Sequence, residues 1–347
     1  MKRIFCVFVS MFIVMFCAGS CGAAERVALM LEGADPKALP NSFNGLCYSG
    51  LEKARERYGR RIQTKVYNSY GDDNILAPLL RSASSESDLV IITSALYIPA
   101  LKEMKKDFPE CSYIVFDSRD IKGVTNIIFR EEEGGFMAGA LAAMMTRQSG
   151  IERINDELVV GIILGEKVPP AQRFHLGYKA GSWYASPEVE VLCEYTGSFV
   201  DGSRVEAAAA KLSAKGADVI FCAAGPASMG AIRYAERGGY WCIGVDSELE
   251  AEFPNAVLAS VVKRSGLVVT KVVESYMSGS LPKDSFSIGL AEGCMDISTW
   301  TREAKMNIPV DVREDIDEIA EKIKDGLIVI NGQSYGGITA DSISPND

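Results

Sequence analysis

Short apolar runs rich in β-branched residues alternate along the chain with longer segments in which apolar residues recur every three or four positions. The short runs predict buried parallel strands. They are residues 27–31, 89–93, 113–116, 159–164, 218–221, 241–245 and 257–262. The longer segments predict helices. They are residues 41–58, 101–108, 134–147, 174–183, 205–214, 229–236 and 265–278. This alternation is typical of doubly wound α/β sheets.

The length of the chain favours two such sheets over one. Doubly wound sheets rarely grow past about 250 residues as a single unit, and this chain has 347 residues. We place the first crossing between lobes at residues 121–126, and we expect the late segments to return to the first lobe. The predicted first lobe is therefore 26–122 plus 250–292, and the second is 123–249 plus 293–347. Crossing hinge strands would join the two α/β lobes.

The N-terminal segment has the pattern of an export signal. Lys2 and Arg3 precede an apolar stretch at 4–16, and the small residues 18–20 lead into Cys21. The stretch is shorter than the roughly 20 residues that cross a bilayer. The pattern predicts a lipoprotein signal, residues 1–21, ending at a lipid-modified Cys21, although an ordinary cleaved signal fits as well. Export makes ATP and NAD poor candidates for the working ligand.

Composition narrows the class of partner further. Hydrophobic residues make up 48% and charged residues 24% of the chain, enough to build a sizeable core. The formal net charge of −10 argues against nucleic acid, which requires clustered Lys and Arg. Cys222 and Cys242 lie in strand-like runs and are expected to be buried free thiols, although an exported protein also permits a disulfide.

The sequence offers few catalytic groups. Its single histidine, His175, lies in a helix-like segment without a G-x-S-x-G motif, and one histidine cannot form an HExxH zinc site. Residues 225–230 have the spacing of a phosphate-binding loop but lack the Lys-Ser/Thr pair. We therefore expect no enzyme, no metal and no cofactor. An exported enzyme that uses Asp117 or Asp246 as acid or base stays open as an alternative.

Polar and aromatic residues follow the predicted strands, where ligands bind in open α/β sheets. These candidate ligand-binding residues are Asn41, Phe43, Asn44, Asp117, Arg173, Phe174, Gly225, Asp246 and Lys263. Phe43 also fits a core stripe of its helix, and Asn41 is a good N-cap. Together the set suits a flat heteroaromatic ring held between two aromatic side chains, with a hydroxylated tail near Asp246 and Lys263.

Several segments carry a family resemblance. They are 41–44 (Asn-Ser-Phe-Asn), 129–139, Arg173-Phe174 with Gly177, 216–220 with Ala224-Gly225, 243–247 and 260–263. The chain resembles the basic-membrane-protein (PnrA-like) family of substrate-binding lipoproteins for ABC importers. The resemblance implies a type I periplasmic-binding-protein-like fold with the ligand between two lobes. It implies that Phe43 and Phe174 stack on a purine base, while Asn44, Asp117, Gly225, Asp246 and Lys263 make polar contacts.

The chain departs from the family pattern in its first and third strand loops. Residues 31–35 differ where a base edge would be bound, and 93–97 replace the usual Gly-Phe, which places Tyr97 near the expected cleft as a third aromatic. These changes are similar to those in the riboflavin-binding lipoproteins of spirochaetal riboflavin-uptake transporters. We therefore expect riboflavin as the transported ligand, with a purine nucleoside as the alternative.

The resemblance also implies partners and a location. It implies a monomer that delivers its ligand to ABC permease subunits and is held by its lipid to a bacterial membrane, most simply the inner one, facing the periplasm. A surface antigen with no small ligand, in which Phe43 and Phe174 are core residues, is a further alternative.

Overall fold

The structure is a computed structural model that describes residues 23–118, 121–298 and 300–330. Its first sheet has six parallel strands in the order β11-β5-β4-β3-β1-β2. These strands are β1 (Glu25–Leu31), β2 (Ile62–Asn68), β3 (Leu89–Ile92), β4 (Ser112–Phe116), β5 (Thr125–Phe129) and β11 (Phe286–Ile288). The central strands are buried on both faces, as helices on either side of a parallel sheet require.

The second sheet has the order β12-β10-β9-β8-β6-β7, in which β12 alone runs antiparallel to its neighbour. Its strands are β6 (Val159–Leu164), β7 (Glu190–Tyr195), β8 (Val219–Ala223), β9 (Trp241–Asp246), β10 (Val257–Lys263) and β12 (Met295–Ile297). Cys222 and Cys242 lie buried on neighbouring strands as free thiols, with their sulfur atoms 3.9 Å apart.

Helices cover both sheets. Those of the first lobe are α1 (Phe43–Tyr58), α2 (Leu76–Glu86), α3 (Ile98–Met104) and α8 (Ser265–Met277). Those of the second lobe are α4 (Glu131–Met145), α5 (Pro169–Ala185), α6 (Gly202–Ser213), α7 (Met229–Glu236), α9 (Arg302–Asn307) and α10 (Val310–Lys324). The two doubly wound α/β lobes confirm the predicted fold class.

The chain crosses between the sheets later than the sequence indicated. β5 pairs with β4 in the first sheet, so the first crossing follows Phe129 and does not lie at 121–126. β10 pairs with β9 in the second sheet, so the return to the first lobe follows Lys263 and not residue 249. Both strands are fully buried and mostly apolar. Such runs suit either sheet, and only the hydrogen-bonded register decides between them.

Several elements gave too weak a pattern to be predicted. β2 and β7 are edge strands with partly exposed residues, and the sequence analysis missed them together with β5, β11 and β12. Helices α2, α9 and α10 were also missed. Ser42, and not Asn41, is the N-cap of α1: its backbone is extended and its hydroxyl accepts the Gly45 N–H at 3.2 Å.

Glycines let α4 and α5 pack backbone to backbone. A Cβ at Gly139 would overlap the carbonyl oxygen of Tyr178, and one at Gly177 would overlap that of Glu132. The close approach fixes the start of α4 relative to the first turns of α5, which carry Arg173 and Phe174. This packing holds Glu131, the first residue of α4, beside Arg173 of α5. No helix within the described residues is both long and apolar enough to cross a membrane.

Candidate functional site

A cavity of about 230 Å³ lies between the lobes, at the carboxyl ends of the strands. The first lobe contributes residues that follow β1, β3 and β4, together with the first turn of α1. The second lobe contributes residues that follow β6, β8 and β9, and Lys263 is the last residue of β10. The cavity therefore occupies the position that the doubly wound fold leaves open for a ligand.

Three phenylalanines from both lobes line the cavity. Phe43 is the first residue of α1, where the Ser42 cap fixes the helix start. Phe174 lies on α5, only 6% exposed, and packs edge-on against Phe221 with ring centroids 5.6 Å apart. Phe199 comes from the loop after β7, where it approaches Gly165 and Gly225 closely. Aromatic surfaces thus face the cavity from both lobes.

Four charged side chains form a buried network at the lobe boundary. Lys263 donates from Nζ to Glu131 Oε1 at 2.6 Å and to Asp117 Oδ2 at 3.2 Å. Arg173 donates from Nε to Glu131 Oε2 at 2.6 Å and from Nη2 to Asp117 Oδ1 at 2.9 Å. The network combines two carboxylates and two cations, so its formal charge is zero. We call these four residues the ionic quartet.

The backbone holds Asp117 in an unusual conformation. Its φ is +58°, a left-handed value that non-glycine residues seldom adopt. The Asp117 N–H donates to the Ile127 carbonyl at 2.8 Å, and its Oδ1 accepts the Phe129 N–H at 3.1 Å. These bonds hold the end of β4 against β5. They direct the carboxylate towards the place where the chain crosses between the lobes. Non-glycine residues held at left-handed angles are concentrated at functional sites.

The pKa values of the two carboxylates of the quartet are shifted in opposite directions. Burial raises the pKa of Asp117, with Glu131 adding to the rise and Lys263 opposing it. Burial also acts to raise the pKa of Glu131, but Lys263 and Arg173 together hold it below its usual value. Glu131 is fully buried and makes the two shorter bonds, so it carries the firmer negative charge.

Asp246 lies outside the quartet but against the same cavity. It ends β9 with a φ of +72° and is 8% exposed. Burial raises its pKa to about 6, and Lys263 and the backbone N–H of Phe43 oppose that rise. Because Phe43 belongs to the first lobe and Asp246 to the second, this contact also spans the lobe boundary.

Seven of the ten predicted ligand-binding residues line the cavity. They are Phe43, Asn44, Asp117, Phe174, Gly225, Asp246 and Lys263. Arg173 does not line it but anchors the quartet. Their roles toward a ligand remain predictions.

Two predicted positions lie elsewhere. Asn41 is exposed on the surface, one residue before the cap of α1. Tyr97 is fully buried in the core of the first lobe, where its hydroxyl donates to the Leu31 carbonyl at 2.6 Å. The third aromatic at the cavity is therefore Phe199 and not Tyr97. The available signal in the sequence is Gly225, which marks the loop next to Phe199. Its φ of +55° is one that glycine adopts readily.

Sequence reasoning also missed Glu131, Glu32 and Glu166. Glu131 looked like one of three helix-start glutamates at 131–133, and nothing in the sequence separates it from its neighbours. Glu32 and Glu166 follow β1 and β6 and line the cavity from opposite lobes. Their positions after strands were the available signal.

His175 lies outside the cavity lining. It packs between α5 and β7 near Cys193 and Tyr195, and burial lowers its pKa to about 4. It is therefore neutral at pH 7. No group of three or more potential metal ligands occurs within the described ranges.

The fold and the cavity define a two-lobed solute-binding protein whose ligand site lies between the lobes. Comparison with known proteins gives the family. The profile of the PnrA-like ABC transporter substrate-binding proteins (Bmp) matches residues 36–334, and the chain belongs to this family.

Individual relatives agree with this assignment. Basic membrane protein A of Borreliella afzelii is 27% identical over 92% of this chain and 97% of its own. An uncharacterised lipoprotein of Pyrococcus horikoshii is 27% identical over 89% of this chain and 84% of its own. The crystal structure of an ABC transporter solute-binding protein from Aeropyrum pernix superposes with a TM-score of 0.77 at 23% identity, covering 88% of this chain and 92% of that one. That likeness confirms the fold.

Proposed function

We propose that this chain is the substrate-binding lipoprotein of an ABC importer that captures riboflavin between its lobes and delivers it to a membrane permease. The observation that carries the proposal is the cavity itself, in which three phenylalanines stand beside buried charged groups. Flat heteroaromatic rings bind well between aromatic side chains, and a few fixed polar groups orient them.

Each part of riboflavin has a matching surface. The isoalloxazine ring stacks on Phe43 from the first lobe and Phe174 from the second, and Phe199 extends the aromatic surface. The ribityl hydroxyls meet Asp246 and Lys263. An ammonium has three donors, and in the described residues Lys263 directs two of them at Asp117 and Glu131. The third is left for a ligand hydroxyl.

Ligand binding would favour the closed arrangement of the lobes. A ligand that touches Phe43 and Phe174 at once contacts both lobes, so it binds the closed state better than an open one. Only such a difference in affinity can shift a conformational equilibrium. The closed form would then be recognised by the permease.

A purine nucleoside is the second candidate, and the size of the cavity favours it. The 230 Å³ volume lies below the roughly 300 Å³ at which small-molecule sites usually begin. Tyr97 is also absent from the lining, which removes one reason for expecting a wider ring system. A nucleoside would use the same stacking and hydroxyl contacts.

Binding without turnover fits the lining better than catalysis does. Asp117 accepts hydrogen bonds from Arg173, Lys263 and the Phe129 N–H, so three of the roughly four acceptor positions of its carboxylate are already occupied. Phe43 and Phe174 both face the cavity, which favours a small-molecule site over a surface antigen without a ligand.

The proposed location rests on the N-terminal signal, which lies outside the described residues. We propose that acylated Cys21 holds a monomer at a bacterial membrane facing the periplasm, with the inner membrane as the simplest assignment. Relatives carry the name lipoprotein. Several acyl chains would anchor the protein firmly, since a single chain gives only marginal binding.

The test is a fluorescence titration of the protein lacking residues 1–21 with riboflavin, and separately with adenosine by thermal shift. Phe174→Ala should lower the affinity for the ligand roughly tenfold to a hundredfold, equivalent to about 1–3 kcal/mol. Tyr48→Ala is the matched control, because Tyr48 lies on α1 outside the cavity lining. Saturable quenching of flavin emission supports riboflavin. Binding of adenosine without binding of riboflavin supports a nucleoside as the ligand.

A further inference from the structure

The charges that line the cavity are strongly unbalanced. Among the described lining residues, the carboxylates are Glu32, Asp117, Glu166 and Asp246, and Lys263 is the single cation. Lys263 is in turn paired with Asp117 and Glu131, so its positive charge is already compensated. Arg173, behind the lining, is paired with the same two carboxylates. The net field in the cavity is therefore negative.

Helix N-termini often bind phosphate, but those of α1 and α5 offer few free donors to the cavity. The first turns of α1 and α5 both reach the cavity. At α1, the Phe43 N–H is directed at the Asp246 carboxylate. At α5, the first two residues are Pro169 and Pro170, which have no N–H to donate. An internal anion occupies one terminus, and two prolines remove donors from the other.

Two of the lining carboxylates lie on opposite lobes. Glu32 follows β1 in the first lobe and accepts the Ser94 hydroxyl at 2.8 Å. Glu166 follows β6 in the second lobe and is exposed. Both line the same cavity of about 230 Å³, and the Glu166 charge adds to the rise that burial causes in the pKa of Glu32. Lys167, beside Glu166, does not line the cavity and lies over the Tyr195 ring.

We propose that Glu32 and Glu166 form an acidic gate, one carboxylate from each lobe, through which the cavity admits unphosphorylated ligands and rejects their phosphate monoesters. This inference rests on the proposed function, in which the cavity binds an aromatic ring with a hydroxylated chain. A phosphate monoester carries a charge of about −1.5 to −2 at pH 7. Whichever way the ligand lies, its phosphate meets either the gate or the carboxylate of Asp246, which lines the same cavity outside the quartet. Repulsion of the wrong ligand is an established route to specificity.

The gate implies a preceding reaction outside the cell membrane. Where the phosphorylated form is the available source, a phosphomonoester hydrolase must act before this protein. In that reaction water attacks phosphorus, the phosphorus–oxygen ester bond breaks, the alcohol oxygen takes a proton, and inorganic phosphate leaves. The alcohol so formed is the ligand that the cavity accepts.

The experiment compares two matched pairs of ligands, riboflavin with its 5′-phosphate (FMN) and adenosine with AMP. Dissociation constants are measured at low and high salt for the wild type and for the Glu32→Gln/Glu166→Gln double variant. Glu236→Gln is the control, since Glu236 is exposed at the end of α7, outside the cavity lining. We expect the phosphorylated ligand to bind the wild type about a hundredfold more weakly than the unphosphorylated one. This gap between the two dissociation constants should narrow at high salt, because salt screens the repulsion. In the double variant the ratio of the two dissociation constants, phosphorylated to unphosphorylated ligand, should be at least tenfold smaller than in the wild type.

The outcomes separate the inference from the proposed function. If the wild type binds riboflavin or adenosine and its phosphate equally well, the acidic gate is wrong while the proposed function stands. If the double variant keeps the wild-type discrimination, the assignment to Glu32 and Glu166 is wrong. If neither riboflavin nor adenosine binds at all, the proposed function fails and the inference fails with it.

Discussion

Replacing Glu131 with glutamine should cost far more stability than the same change at a surface glutamate. Glu131→Gln keeps the size of the side chain but leaves Lys263 and Arg173 facing Asp117 alone. Glu131 has no exposed side-chain surface. Removing one partner of a buried ion pair typically costs about 3–5 kcal/mol, because the remaining charge cannot be solvated.

Glu86→Gln is the matched control. The Glu86 Oε2 to Lys65 Nζ distance is 2.6 Å, the same as the Glu131 Oε1 to Lys263 Nζ distance, but the Glu86 side chain is 51% exposed. Exposed pairs contribute about 0–1 kcal/mol. Because the distances are equal, the difference between the two variants measures the effect of burial.

The loss of unfolding free energy in Glu131→Gln should also depend on pH. The pKa of Glu131 in the folded protein lies below its usual 4.5, so the ionised form stabilises the fold. That contribution is complete above 4.5 and disappears as the pH falls through the folded-state pKa. The gap in unfolding free energy between the wild type and Glu131→Gln should therefore narrow on acidification.

Urea unfolding followed by tryptophan fluorescence, from pH 7 downward, measures both effects. The three tryptophans of the chain provide the signal. Equal losses for Glu131→Gln and Glu86→Gln at pH 7 would refute the reasoning about burial. A gap that stays constant as the pH falls would refute the assignment of the stabilising charge to Glu131.

Three further predictions concern single positions. Tyr97→Phe should lower the free energy of unfolding by about 0.5–1.5 kcal/mol, because the buried Leu31 carbonyl loses the Tyr97 hydroxyl and keeps only the Ser69 N–H at 3.3 Å, while titration shows unchanged ligand affinity. Gly177→Ala should lower the thermal midpoint, since its Cβ would overlap the Glu132 carbonyl and overpacking costs about 1–3 kcal/mol; an unchanged midpoint would mean that α4 and α5 separate freely. The pKa of Asp246 is raised to about 6, so the contribution of Asp246 to stability should fall by about 2 kcal/mol as the pH rises from 4 to 7. Asp246→Asn should abolish that loss in urea titrations at matched pH values.

The strand and helix pattern was sufficient for the fold class because it depends on local periodicity. Seven of the predicted strands correspond to β1, β3, β4, β6, β8, β9 and β10. Edge strands such as β2 and β7 were not predicted, because their partly exposed residues break the continuous apolar run that marks a buried strand.

The site was predictable where a residue directly follows a strand. Asp117, Asp246 and Lys263 were found in this way, since parallel strands deliver their carboxyl ends to one edge. Tyr97 shows the limit of that rule. It also follows a strand, but its side chain turns into the core and pairs with Leu31, and the direction of a side chain after a strand is set by the loop.

The sequence by itself determined the α/β class, the two lobes and seven of the residues that line the cavity, because each depends on residue type and local spacing. Only the tertiary structure decided which sheet receives β5 and β10, and which of the glutamates at 131–133 is buried between Lys263 and Arg173. The Glu131 contacts join residues 42 and 132 positions apart in the chain, and each strand takes its sheet from its hydrogen-bonded neighbours. Hydrogen-bond register and the pairing of buried charges are properties of the packed molecule, and no local pattern in the sequence carries them.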